Sequence, residues 1–286
     1  SKSITLGWDA DKNVITFYYA EPHDVYYRVK YVDAVTGNEV AAEKIQFTRM
    51  AQVMENAVEV SGYEYDARRK SLVLNDEASE QEISHNIITF TYRPILEVTI
   101  EGNSNTVKYD GNEQKAEGFT VKNLPENSGI GFELKPGYNA EAKGTDADTY
   151  YMGLTTESFV PSFGTTSSYN GNNCVVRIKK VTDGKLTIEP RKVTLTSASD
   201  SKKYDGEPLT CEKYELVKGT IAEGQTAQVT VEGSQTLVGI SANVITGVMI
   251  LAQIDKEFVD VTDNYEIIKE DGKLEVTDGT DDDPVD

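Results

Sequence analysis

No run of about 18 apolar residues occurs in the 286-residue chain, so a helix able to cross a bilayer is not expected. Histidine is nearly missing: His23 in EPHDV and His85 in ISHNI are the only two. Neither stands in a nucleophile-elbow setting and Gly-x-Ser-x-Gly does not occur, so both read as loop or strand-end residues and no catalytic residue is assigned. The two cysteines, Cys174 and Cys211, make neither a zinc set nor a Cys-x-x-Cys redox pair. They fall in different repeats, so a disulfide would need a contact between repeats; free, partly buried thiols are expected.

Positive charge is also scarce. With 28 Lys and Arg against 48 Asp and Glu, the formal charge is −20. Such a field repels nucleic acid and anionic lipid surfaces, so neither is an expected partner. The bland role of this charge is solubility. Eight prolines and 22 glycines are too few for a collagen-like or low-complexity stretch. No basic-then-apolar leader opens the chain, which by itself leaves a cytosolic protein or a piece of something longer. The length suits two or three domains with their own cores.

What is present is repetition. EVTIEGNSNTVKYDG (97–111) returns as KVTLTSASDSKKYDG (192–206), with Val98 and Lys108 mapping to Val193 and Lys203, 95 positions on in both cases. A second marker, VTDGKLTIEP (181–190), returns as KEDGKLEVTD (269–278), with Asp183 mapping to Asp271, 88 positions on. Two markers in the same order mean tandem units, and a seven-residue difference in offset is loop length. In Tyr-Asp-Gly the aspartate can bond the backbone beyond it and the glycine accepts positive φ, so each copy predicts a tight turn after a strand, its tyrosine ring on the core. Asp-Gly in DGKL predicts a hairpin turn leading into an alternating strand, Leu186 and Ile188 in one copy, Leu274 and Val276 in the other. NVITGVMILAQI (243–254) is apolar on both faces, as for a strand central to a sandwich or facing a neighbour.

These residues carry a resemblance. KKYDGEPLT, VEGSQTLVG, DNYEI and DGKLEV resemble the MBG-type repeats of Gram-positive cell-surface proteins. The unit with YDGNEQ, AEAKGTDADTYYMGL and DGKLTIEPRKVTL looks like a sister variant. Residues 26–92, from YYRVKYVDAVTGNEV to NIITFTY, are similar to the MucBP repeat of mucus-associated surface proteins, which implies a β-rich, ubiquitin-like module. RMAQVMENAV (49–58) is its one expected helix, a short one. KSITLGWDADKNVITFYYA (2–20) echoes 70–92, like the tail of a preceding repeat, and is expected to pair with the following sheet.

The organisation expected is therefore mainly β. A repeat tail (1–20) and a β-grasp-like MucBP-like module with one short helix (21–94) come first. Two tandem antiparallel sandwich-like MBG-like modules (95–190, 191–278) and an acidic linker (279–286) follow. The modules are read as independent beads in an elongated array, with Pro94 and Pro190 at the junctions.

Candidate sites are few. DADKN places Asp9, Asp11 and Asn13 like the start of a calcium loop, but the sixth and twelfth positions are Val14 and Ala20, so a turn is expected and no metal or cofactor. Exposed aromatics are the candidate ligand contacts: Trp8 in a polar turn, Tyr26 opposing Tyr27, and the adjacent Tyr150 and Tyr151, one of which must face outward in a strand. No lysine stands in a clear inward strand centre, which disfavours a Lys–Asn crosslink. The resemblance implies a non-catalytic, extracellular, wall-anchored or secreted segment, a monomer within a longer multi-module chain. It would act in attachment to host mucin glycans or a host glycoprotein, or in display. The alternatives are a pure stalk without a ligand and, more remotely, an accessory region of a carbohydrate-active enzyme.

Overall fold

The computed structural model describes residues 5, 7–9, 11, 13–17, 23–75 and 83–279. The chain is mainly β: strands take 57% of it, and among the described residues every helical turn is shorter than seven residues. Two compact units form. The first holds Ser1–Glu97, Leu124–Gly131 and Phe163–Arg177; the second holds Val98–Asn123, Phe132–Ser162 and Ile178–Asp286.

In the first unit, strand Val25–Asp33 alternates strictly, with Val25, Tyr27, Val29 and Tyr31 buried and Tyr26, Arg28 and Lys30 on the other face. Period two is what a half-buried strand requires. It pairs antiparallel with Glu39–Thr48 and parallel with the first part of Ile87–Gly102, which brings Ile88, Phe90 and Tyr92 onto the same buried face. The Tyr92 hydroxyl donates to the Val58 carbonyl at 2.7 Å, so the ring is buried without stranding its polar end.

Three expectations change in this unit. Residues 52–56 are strand, not helix: Gln52–Asn56 pairs antiparallel with Arg69–Val73, Val53 goes into the core, and Met54 points out. The β-branched Val53 and the in–out alternation override the helix-forming Met and Glu. Pro94 does not end a ladder. It lies within Ile87–Gly102 opposite Tyr63, where the missing N–H is harmless because the next amide, Ile95, makes the bond to Gly62. The described residues of 1–20 belong to no strand; the rest of that segment, and most of 279–286, lie outside the described residues.

In the second unit the two sequence copies share one register. Lys185–Glu189 pairs parallel with Ser104–Lys108, Leu186 opposite Asn105; Gly272–Thr277 pairs parallel with Asp200–Lys203, Leu274 opposite Asp200. Both partners keep the sequence offsets, 95 (105 to 200) and 88 (186 to 274). Thr99 opposite Lys122 corresponds to Thr194 opposite Lys218. Tyr150 opposite Leu186 corresponds to Ser241 opposite Leu274, an offset of 91 (150 to 241). The second copy is a sandwich: Leu195 and Ile267 from one sheet meet Val229, Val231 and Ile245 from the other.

The Asp-Gly pairs are not hairpin turns. Val175–Thr182 and Lys185–Glu189 belong to different sheets, as do Tyr265–Glu270 and Gly272–Thr277. The chain crosses the sandwich there. Each glycine is needed for close approach rather than for φ: a methyl on Gly184 would stand 2.5 Å from the Asn103 carbonyl oxygen, and one on Gly272 2.5 Å from those of Ser197 and Ala198. Each aspartate holds the opposing sheet, Asp183 accepting from the Gly153 and Leu154 amides and Asp271 from Ile245.

Nor are the copies independent beads. One buried cluster joins Tyr109, Leu186 and Ile188 of the first to Val193, Ile250, Val261 and Tyr265 of the second. Tyr109 meets Tyr265 edge to face, ring centres 5.5 Å apart. Gln225 threads between their hydroxyls, donating to Tyr109 at 2.7 Å and accepting from Tyr265 at 2.7 Å. Arg191, immediately after Pro190, donates to the Tyr109 carbonyl and to the Thr220 hydroxyl. Asn264 clasps the Asp146–Ala147 loop, accepting from the Ala147 amide and donating to the Asp146 carboxylate. The doubly apolar 243–254 stretch is explained: Ile245 fills its own sandwich, and Ile250 and Ala252 face the joint.

Burial at this joint pushes the Tyr265 hydroxyl above the ordinary tyrosine range. A folded-state pKa above the unfolded value means the neutral phenol stabilises the fold fully below about pH 10 and progressively less above it. Unfolding in urea at pH 9 and pH 11 is therefore expected to show a stability loss at the higher pH that Tyr265→Phe reduces; an equal loss in both proteins would refute this.

Candidate functional site

The four candidate ligand aromatics stand in different settings. Trp8 is fully exposed in the first unit, and Tyr151, 65% exposed, stands in the second. Tyr150 turns the other way: it packs at the joint cluster, its ring lies against Gly144, and its hydroxyl donates to the Asp146 carbonyl at 3.1 Å. Of the adjacent pair, Tyr151 is the outward member. The Asn13 side chain bonds the amide and carbonyl of Gly7, and Asp9 accepts from the Asp11 amide, so DADKN is spent on a local turn. Among the described residues, no three His, Cys, Asp or Glu side chains gather as metal ligands. Both cysteines are free, and burial raises the Cys174 thiol, which blunts its reactivity.

Tyr26 has an aromatic partner. It stands opposite Phe47 on the outer sheet face, rings 5.8 Å apart and tilted by 50°. Phe47 also walls an open groove of about 620 Å³ with Met50, Gln52, Val53, Met54 and Tyr27. Phe47, Met50 and Met54 are all exposed. The strand Glu39–Thr48 supplies Phe47 near its end, the turn that follows supplies Met50, and the strand Gln52–Asn56 supplies Met54; the flexible thioethers adapt to varied shapes. At one side Tyr27 donates to the Glu55 carboxylate at 2.7 Å. Arg28 and Glu43 pair beside Ile45 on the outer face. The groove thus offers aromatic edges and apolar walls with one anchored hydroxyl–carboxylate pair, suited to a ligand with apolar faces and a few polar groups. Sequence reasoning missed Met50 and Met54 because residues 49–58 read as a helix, and the Val53/Met54 alternation was the available signal; Phe47, outside that segment, was not singled out.

Burial, and next the bond to Glu55, push the Tyr27 hydroxyl up to about 12. Neutral Tyr27 contributes fully below about pH 10, and that contribution is lost as pH rises toward its folded value. In an absorbance titration of the whole protein, Tyr27→Phe is expected to delete one late-titrating phenol. A profile identical to that of the parent would contradict the assignment.

With this geometry in place, the class is a mainly β protein whose second unit is a tandem of register-matched repeats. No family model matches the chain, and no curated protein matches it. Among solved structures, it is similar to one titled "The Bacillus anthracis TIE protein", at 10% identity and a TM-score of 0.25, over 86% of this chain and 50% of that one. The chain thus spans about half the length of that structure.

Proposed function

We propose that this chain is a non-catalytic segment of a bacterial surface protein of adhesin type, extracellular and part of a longer multi-module chain. In this reading the second unit spaces and the first presents a ligand surface. The observation that supports it most is the buried joint: a tyrosine pair, a threaded glutamine and a clasped loop leave the two repeats no slack between them. A linker that must transmit position or load needs that property. The ligand surface is the groove beside Tyr26 and Phe47, and its chemical class is a mucin glycan or a host glycoprotein.

The test is a mucin overlay and glycan array with the full chain. Parent protein is expected to bind, Tyr26→Ser/Phe47→Ser to lose about tenfold or more as for a central aromatic contact, and Tyr151→Ser to match the parent. A pure spacer is the second reading, favoured by how open the groove is. Silence of the parent on every glycan and glycoprotein surface supports the spacer and removes the ligand surface.

A further inference from the structure

The two Tyr-Asp-Gly turns are the same structure in two surroundings. Asp110 accepts from the Asn112 amide at 2.9 Å, and Asp205 from the Glu207 amide at 3.0 Å. Gly111 and Gly206 have φ of 86° and 85°. The Tyr109 amide bonds the Glu189 carbonyl, and the Tyr204 amide bonds that of Thr277. Yet Tyr109 is 1% exposed and Tyr204 is 52% exposed.

The neighbours follow the same rule. The offset of 91 maps Asp146 and Ala147, clasped by Asn264, onto Leu237 and Val238, which are 70% and 55% exposed. Leu186 and Ile188 share a core with the next repeat, whereas their counterparts Leu274 and Val276 close a small cluster with Leu209 alone among buried residues. The end of the second repeat is thus a finished copy of a joint surface, more apolar than the covered one. Solvent-exposed Tyr, Leu and Val gathered at one end mark an interaction surface.

We infer that the end formed by Tyr204, Leu237 and Val238 is a docking face for a further module of this repeat, seated as the second repeat seats on the first. The covered copy within the same chain identifies the occupant. It shows which elements meet this end: counterparts of Ala222, Gln225 and Tyr265 closing over the tyrosine. A second copy of the chain, end to end, is disfavoured by charge, because Asp278 follows the strand that ends here and the sequence from it to Asp286 holds five aspartates in each copy. The inference stands apart from the ligand surface of the first unit.

The experiment extends the full chain by repeating residues 190–277 directly after Thr277, and follows tetranitromethane nitration of each tyrosine by peptide mass spectrometry. In the parent, Tyr204 is expected to react fast and Tyr109 slowly. In the extended chain, Tyr204 should slow by about tenfold or more, toward Tyr109, as burial by a docked neighbour requires. Unchanged Tyr204 reactivity overturns the inference. So does slowing of Tyr204 in the unextended parent as its concentration rises, because the occupant is then a second copy. A companion extended chain carrying Leu237→Asp and Val238→Ala rebuilds the side chains of the covered joint. Closure in the companion alone, or in neither protein, counts against the native end.

Discussion

Tyr109→Ala is expected to cost the second unit about 3–5 kcal/mol, the range for removing a buried aromatic, whereas Tyr204→Ala should stay within about 0.5 kcal/mol, as for an open surface site. The two residues share their motif, their turn and their backbone bond. Only the covering differs. Removing the Tyr109 ring empties the centre of the joint cluster, deprives Gln225 of the hydroxyl it donates to, and leaves Tyr265 without its edge-to-face partner. The Arg191 bond survives, since it reaches the Tyr109 carbonyl rather than its side chain. Urea unfolding at neutral pH measures both costs. The cluster is also what couples the repeats, so Tyr109→Ala should broaden or split a transition that is single in the parent, because cooperativity between modules rests on their interface. A double-mutant cycle with Tyr265→Ala should return about 0.5–1.5 kcal/mol of coupling for the ring pair. Equal costs for Tyr109 and Tyr204, or zero coupling, would mean that the repeats only touch.

The contrast between these tyrosines also marks where sequence stops being informative. Strand positions were legible in Tyr27, Val29 and Tyr31, and in Leu186 and Ile188, because period-two burial is written in the residues themselves. The shared register of the two copies was legible because the offsets 95 and 88 are also the offsets between ladder partners. The exposure of Tyr204 was not legible: it depends on what stands opposite, and the motif around it is the same in both copies. The Asp-Gly pairs misled for a related reason. A tight turn and a crossing between sheets demand the same dipeptide, one for φ and one for room. Residues 49–58 carry good helix formers, and only pairing with Arg69–Val73 makes 52–56 a strand. The groove followed them out of view. Of the four aromatic candidates, the adjacency of Tyr150 and Tyr151 showed that one faces outward, and the choice fell to Gly144, whose missing side chain receives the Tyr150 ring.

Gly272→Ala should be among the most damaging single methyl additions in the second unit, at about 3 kcal/mol or more, the upper range for overpacking. Strand propensity argues for the opposite sign, since glycine inside a strand is worse than alanine by roughly 0.5–1 kcal/mol. Sterics decide. The added methyl would stand 2.5 Å from the carbonyl oxygens of both Ser197 and Ala198, and these are backbone atoms with no rotamer to change. The strand cannot retreat, because Gly272–Thr277 is paired on one side with Asp200–Lys203 and on the other with Gly239–Ile254. The Gly272 amide also donates to the buried Ser197 hydroxyl at 2.8 Å, so any shift breaks that bond too. Gly184→Ala meets the Asn103 carbonyl at the same distance and should behave alike, with slightly more tolerance because its other neighbour is the flexible Met152 thioether. Gly206→Ala is the control. Its φ of 85° penalises a side chain by about 1–2 kcal/mol, but open space surrounds it. For a unit of this size each kcal/mol moves Tm by about 2–4 °C, so thermal melts resolve the order. Gly272→Ala no worse than Gly206→Ala would place the two sheets farther apart at this crossing than the shared repeat geometry requires.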